Sequence, residues 1–191
     1  MPENLTDPVA IAGHVIVALQ QIVSRHANPR TPSVLSVGKV TAAGAYNVVP
    51  DEVVLEGTFR TLDETWRAIA LEKIEKLVKS IAESMGGSCA VQIRHGYPYL
   101  HNDEALTTRM KEGIAAYVGN DNVVDEDIWM ASEDFAYYTK EVPSFFYLLG
   151  VGNESKGIKS GLHTPTFDID ENCLIPGAGL MAWLAVKELM E

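Results

Sequence analysis

A histidine sits in the middle of a loop near the end of the chain, in the stretch Ser160-Gly161-Leu162-His163-Thr164-Pro165-Thr166-Phe167-Asp168-Ile169-Asp170. An apolar run, Phe145 to Leu149, and a glycine turn, Gly150-Val151-Gly152, come before it. Loops beside the C-terminal end of a core strand are where α/β folds usually keep their chemistry. Neutral imidazole is a good zinc ligand, and such a loop can aim it into a cleft. His163 therefore reads either as one metal ligand or as a surface-loop histidine, since one imidazole falls short of the three or four donors that zinc takes. Asp168 and Asp170 stand nearby, able to orient the imidazole or to cap the helix that follows; Asp170 is the better cap. The pair Glu133-Asp134 after Ser132 reads as a ligand or site border, or as ordinary helix-terminus electrostatics. Arg60, at a strand end, can grip a carboxylate bidentately. Asn47 can donate its amide to the same anion. The bland alternatives are an edge arginine and a turn asparagine. His95 and His101 flank a candidate domain joint, while His14 and His26 read as surface residues of the first helix. Gly150-Val151-Gly152 lacks the length and the Lys/Ser/Thr pattern of a phosphate loop.

The elements that must position these groups are legible in outline. Asp7-Pro8 opens a helix, with Asp as N-cap and Pro in the first turn. Ile11, Val15, Leu19, Ile22 and Val23 recur on one face, and the prolines at 29 and 32 end it. Ser33 to Val40 and Glu52 to Arg60 read as strands joined by a short connection, hence antiparallel. Val53, Leu55, Gly57 and Phe59 share one side of the second. Glu64 to Met85 is a helix with the stripe Trp66, Ala70, Ile74, Leu77, Ile81 and Met85, closed by Gly86-Gly87. Ser88 to Tyr97 reads as a third strand, with Cys89, Val91 and Ile93 alternating.

The character of the chain changes near Pro98. A helix capped by Asn102 or Asp103 runs through Tyr117, followed by a short strand at Val123-Val124 and a short helix capped by Ser132. Phe145 to Leu149 has no polar alternation and is expected to be a strand covered on both faces. The last helix starts at Asp170 or Glu171, with Leu174, Ala178, Met181, Leu184 and Val186 apolar. The order helix, strand, strand, helix, strand is a ferredoxin-like layer short of its first strand. Two strands in the second region cannot bury a sheet's faces or protect its edges. Either a three-stranded layer stands alone and further strands are hidden in the second region, or the missing strands belong to an N-terminal half that this sequence lacks.

The chain has 191 residues, 47% apolar and 21% charged, with a net charge of -11. That suits one large soluble domain or two small ones. With no cluster of Lys or Arg, neither nucleic acid nor an anionic membrane is an expected partner. The two cysteines, Cys89 and Cys173, lack metal-ligand spacing. No basic-apolar leader and no apolar segment long enough to span a bilayer stand out, so the expected location is cytoplasmic.

Three signatures, in order, resemble one family. Ala43-Gly44-Ala45-Tyr46-Asn47-Val48-Val49-Pro50-Asp51 with Leu55-Glu56-Gly57-Thr58-Phe59-Arg60-Thr61 is similar to the lid domain of metal-dependent amidohydrolases. That family comprises hippurate hydrolases, bacterial aminoacylases and plant auxin-conjugate hydrolases, relatives of the zinc carboxypeptidases and desuccinylases of metallopeptidase family twenty. Met130-Ala131-Ser132-Glu133-Asp134-Phe135-Ala136-Tyr137 resembles its Ser-Glu-Asp-Phe signature, and Leu148-Leu149-Gly150 with Gly161-Leu162-His163-Thr164-Pro165 its last metal-binding segment.

The resemblance implies an α/β protein with an α+β lid. Residues 1–96 would be a ferredoxin-like lid and dimerisation domain lacking its first strand, and 97–191 the C-terminal segment of a zinc-peptidase-like catalytic domain. Met1-Pro2-Glu3 resembles the tail of the His-Ala-x-x-Pro stretch that ends the missing strand. By the same resemblance His163 is a metal ligand, Asn47 and Arg60 approach the substrate carboxylate, and Ser132, Glu133 and Gly161 border the site. No catalytic residue is implied within the chain. The His-x-Asp motif, the Glu-Glu pair with the general base and most ligands would lie upstream. The implied cofactor is divalent zinc, manganese or cobalt in the complete enzyme. The implied reaction is hydrolysis of an N-acyl amino acid by a metal-bridged water, with an upstream glutamate moving the proton. Expected partners are a second copy through the lid and a separately encoded N-terminal half. The chain alone is expected to be inactive, or to act as a binding and dimerisation module.

Overall fold

The computed structural model describes residues 2–190, so the likeness at Met1 lies outside it. The chain divides into two compact units. One runs through Tyr99 and takes in Met130–Asp134; the other holds Leu100–Trp129 and the chain from Phe135 onward.

The first unit is built on caps and one hairpin. Helix α1, Pro8–Gln21, starts where the Asp7 carboxylate accepts from the N–H groups of Val9 at 2.8 Å and Ala10 at 3.1 Å, satisfying donors a helix start leaves open. A wider turn, Ile22–His26, ends it, and Ala27 is already extended ahead of Asn28-Pro29. Strands β1, Ser33–Thr41, and β2, Val54–Thr61, pair antiparallel, from Ser33 opposite Thr61 to Thr41 opposite Val54. The register slips between Val37 and Lys39, a bulge at Gly38. Gly57 is required by close approach: a Cβ there would lie 2.4 Å from the Ser36 carbonyl oxygen. Helix α2, Glu64–Ser84, is capped by Asp63, and Gly86, at φ 80°, follows its end. Its stripe Trp66, Ile74, Leu77, Val78 and Ile81 packs with Leu35, Val37, Leu55 and Phe59 onto Ile11, Val15, Leu19 and Ile22.

The second unit is held by two helices. Helix α3, Glu104–Val118, is capped by Asp103, whose carboxylate accepts from the Leu106 N–H at 2.8 Å. A single turn, α4, covers Tyr138–Glu141, and α5 covers Leu174–Met190. Met110, Leu180 and Leu184 are buried against Leu106, Ile114, Phe145 and Tyr147. The Asn102 side chain pairs with the Phe146 backbone in both directions, donating to its carbonyl and accepting from its N–H, each at 2.8 Å.

Several expectations are corrected. Among the described residues the sheet has two strands. Ser88–Tyr97, Val123-Val124 and Phe145–Leu149 carry no ladder. Cys89, Val91 and Ile93 still alternate in burial with their exposed neighbours, because alternation reports which side chains face a core, whereas a ladder needs a second backbone at hydrogen-bonding distance. Ser132 does not open the short helical turn, which begins at Asp134. On α5, Leu180 is buried with Leu184, whereas Leu174, Met181 and Val186 are exposed. Two helical stretches, Pro8–His26 and Glu171–Met190, are long and apolar enough to cross a membrane by length and composition, where the sequence reading found none. Counting the terminal turns as helix makes the difference. In the first stretch Ile11, Val15, Leu19 and Ile22 are core residues of the first unit.

Candidate functional site

The His163 loop is built from its base upward. Asn153 and Ile158 form a small bridge, each backbone N–H donating to the other's carbonyl, around a turn that Gly157 closes at φ 76°. Asp170 ties this turn to the start of α5. Its N–H donates to the Val151 carbonyl at 2.8 Å, and its carboxylate accepts from Asn153 Nδ2 and Lys156 Nζ, both at 2.6 Å, and from the Asn172 N–H at 3.2 Å. The Lys156 and Asn153 hydrogen bonds hold its pKa down to about 2, because each favours the charged form. Asp170 thus caps the helix, as expected. Asp168 accepts from the Ile169 N–H at 2.8 Å, and no bond links it to the imidazole.

Above this base the loop is pinched. The Ser160 and Thr166 hydroxyls meet at 2.9 Å, Thr164 Oγ1 donates to the Gly161 carbonyl at 2.8 Å, and the Phe167 N–H donates to the Thr164 carbonyl at 3.2 Å. His163 sits at the tip, exposed, at φ 62°. Among the described residues it is the one non-glycine at positive φ. Such a backbone costs an L-residue energy and gathers at functional sites. Gly161 lies beside it in the same pinch.

Arg60 stands near the end of β2, opposite Val34. Its Nη1 donates to the Met130 carbonyl at 2.7 Å. The structure therefore brings Arg60 to the segment holding Ser132, which is exposed, and Glu133, which is half-buried. Asn47 is elsewhere. It is exposed in the loop joining β1 to β2, beside a shallow depression lined by Leu5, Thr6 and residues 48–51. The six steps of strand from Val54 to Arg60 separate the ends of the hairpin by about 20 Å. Within one chain the two side chains do not meet on one anion. His14, His26, His95 and His101 are exposed.

Among the described residues no three His, Cys, Asp or Glu side chains are grouped to hold a metal ion. A zinc site needs three or four protein ligands. The described residues therefore make no complete metal site by themselves; His163 offers one imidazole. The sequence reading missed three groups. Asn153 and Lys156 fix the base of the loop through Asp170, and Glu64, on the first turn of α2, accepts from the Tyr99 N–H at 3.0 Å. Asn153 follows a glycine turn and was visible as a turn residue. The partner of Glu64 lies 35 residues away and leaves no local signal.

Residues 7–187 match the family described as peptidase family M20/M25/M40. The N-acetyl-L-cysteine deacetylase of Bacillus subtilis is 35% identical over 191 residues, covering all of this chain and 44% of the relative. The IAA-amino acid hydrolase ILR1-like 4 of Arabidopsis thaliana is 32% identical over 195 residues, again covering all of this chain and 44% of the relative. A solved structure, the Bacillus subtilis YXEP protein described as a dinuclear metal binding peptidase, superposes with a TM-score of 0.74 at 29% identity, over 96% of this chain and 47% of that one. The chain thus spans slightly less than half the length of the relatives it resembles. The mixed helix-and-sheet architecture and the amidohydrolase likeness expected from the three signatures agree with these relatives. The chain belongs to peptidase family M20/M25/M40.

Proposed function

We propose that this chain supplies the substrate-holding lid and one metal-coordinating imidazole of a metal-dependent amidohydrolase acting on N-acyl amino acids or hippurate-type amides. In that reaction water adds across the amide C–N bond, giving a carboxylic acid and an amine. The observation that carries the reading is His163, held at positive φ on the tip of a loop pinched by Ser160 and Thr166 and based on Asp170. The names of the relatives support the reaction class, and the dinuclear neighbour supports a divalent metal such as zinc, manganese or cobalt. In this reading residues 1–96 form the ferredoxin-like lid and 97–191 belong to the catalytic domain. Arg60 takes the substrate carboxylate, which its planar fork suits. Asn47 contributes from the opposite end of the hairpin, to the substrate of a second copy. Ser132, Glu133 and Gly161 border the site. The general base and remaining ligands lie on polypeptide outside this sequence, and the location is cytoplasmic.

By itself the chain then has one metal donor and no base, and does not hydrolyse amides. The test is an assay of purified chain with hippurate and N-acetyl amino acids, with zinc, manganese or cobalt added. The expected result is no metal-dependent release of amine. Turnover that disappears in His163→Ala would overturn the assignment of the base to other polypeptide. A second reading, a dimerisation module, is favoured by Val34, Val40 and Val54, which leave apolar surface on the hairpin exposed.

A further inference from the structure

The corner between β2 and α2 is densely cross-bonded. Arg67 donates from Nε and Nη2 to the two Glu64 oxygens at 2.7 and 3.2 Å, and from Nη2 to the Thr61 carbonyl at 3.0 Å. Thr61 is buried, at 2% exposure. Its hydroxyl accepts from Ser33 Oγ at 3.2 Å, which in turn accepts from Trp66 Nε1 at 3.0 Å. A satisfied polar network of this kind has one arrangement and resists deformation.

Two side chains of this corner reach backbone far away in sequence. Glu64 Oε1 accepts from the Tyr99 N–H at 3.0 Å, and Arg60 Nη1 donates to the Met130 carbonyl at 2.7 Å, spanning 35 and 70 residues. Tyr99 is the last residue of the first unit before the chain passes to Leu100, and Met130 is the residue on which it returns.

We propose that the β2–α2 corner is a clasp and that Arg60 serves two acceptors, the Met130 carbonyl and a substrate carboxylate. Glu64 and Arg60 fasten to the first unit the point where the chain leaves it and the point where it comes back. The Nη1 bond to Met130 also holds the guanidinium plane, so that the Nε–Nη2 edge is set for a carboxylate with less side-chain freedom left to lose on binding. This second role rests on the carboxylate reading given above. Lysine cannot replace it, because an ammonium is a point charge on a flexible stem with no planar edge to offer.

The experiment is NMR on the purified full chain, reading amide hydrogen exchange and the Met130 carbonyl carbon shift, with hippurate as the charged probe and hippuramide as its neutral control. Arg60→Ala is expected to move the Met130 carbonyl carbon resonance upfield, towards that of an unbonded carbonyl, while the amides of Ile22 and Ala70 keep their protection and show the unit still folded. Arg60→Lys is expected to restore most of the Met130 carbonyl shift, because one donor still reaches Met130, yet to weaken hippurate binding as much as Arg60→Ala does. Glu64→Ala is expected to speed exchange at Tyr99, and Glu64→Gln to restore it through its amide oxygen. An unchanged Met130 carbonyl resonance in Arg60→Ala, or unchanged exchange at Tyr99 in Glu64→Ala, would overturn the clasp. Wild-type hippurate affinity in Arg60→Lys would overturn the two-acceptor role. Equal binding of hippurate and hippuramide by the wild type would overturn the carboxylate reading itself, and the exchange and carbonyl data would then judge the clasp separately.

Discussion

Ile22 and Leu184 each sit at the centre of a cluster, but their surroundings differ. Around Ile22, at 1% exposure, two helices and the inner face of the hairpin close on one another. Around Leu184 the cover is α3 and the extended run near Phe145, and α5 is covered on one side only. The other side of α5 is also apolar: Ile175 is 85% exposed and Leu189 87%. A helix that is apolar around its circumference is suited to burial on all sides. The first unit completes its own core, whereas the second has half of one. Composition does not separate them, since both are rich in Leu, Ile and Val. The difference is whether the chain brings a second apolar layer to the same place.

That contrast can be broken by measurement. The largest effect is expected from Ile22→Ala, which leaves a cavity in a site with packed walls and should cost the first unit about 3 to 4 kcal/mol in urea unfolding. Leu184→Ala should cost the second unit clearly less, about 2 kcal/mol, because a half-covered site can collapse onto the gap. Equal losses would mean that the two cores are equally closed.

A smaller effect is expected from acid. Asp170 is held down to about 2 by Lys156 and Asn153, from an ordinary 3.8. A depressed carboxylate stabilises the folded loop above its unfolded value, and that contribution fades as pH falls from about 4 through about 2. The Ile158 and Asn153 amides should therefore lose protection in that window, and Asp170→Asn should abolish the pH dependence. Loosening at pH 5 to 6 instead would point to another group. The smallest effect on stability is expected on the uncovered side of α5. Val186→Lys should change the unfolding free energy by about 0.5 kcal/mol or less, yet reduce self-association in sedimentation, since it interrupts an open apolar stripe. A loss of several kcal/mol would show that this side is covered after all.

How far the sequence could be read follows from the range of each signal. Caps at Asp7, Asp103 and Asp170 and the α2 stripe are local, fixed by residues within a turn or two, and they were legible. The two strands were legible from their apolar patterns, and they pair antiparallel across the loop from Thr41 to Val54. Ser88–Tyr97 and Phe145–Leu149 were read as strands from side-chain pattern, but pattern carries no information on whether a partner backbone is present. The fold on the described residues is therefore poorer in sheet than the pattern suggests. At the site, His163 was visible from its Gly/Pro-bounded loop, while its left-handed backbone was not, since nothing in Leu162-His163-Thr164 demands it. The hold of Arg60 on Met130 was out of reach: the two are 70 residues apart, and a carbonyl has no sequence signature.

The backbone angle at position 163 has a consequence for evolution at this loop. With φ at 62°, a side chain bearing a Cβ pays about 1–2 kcal/mol that glycine would not. Glycine there would relieve that cost and lose the imidazole. In the role proposed for His163, the imidazole comes at a cost to its own peptide unit, so thermal hardiness and coordinating ability would be opposed at a single residue.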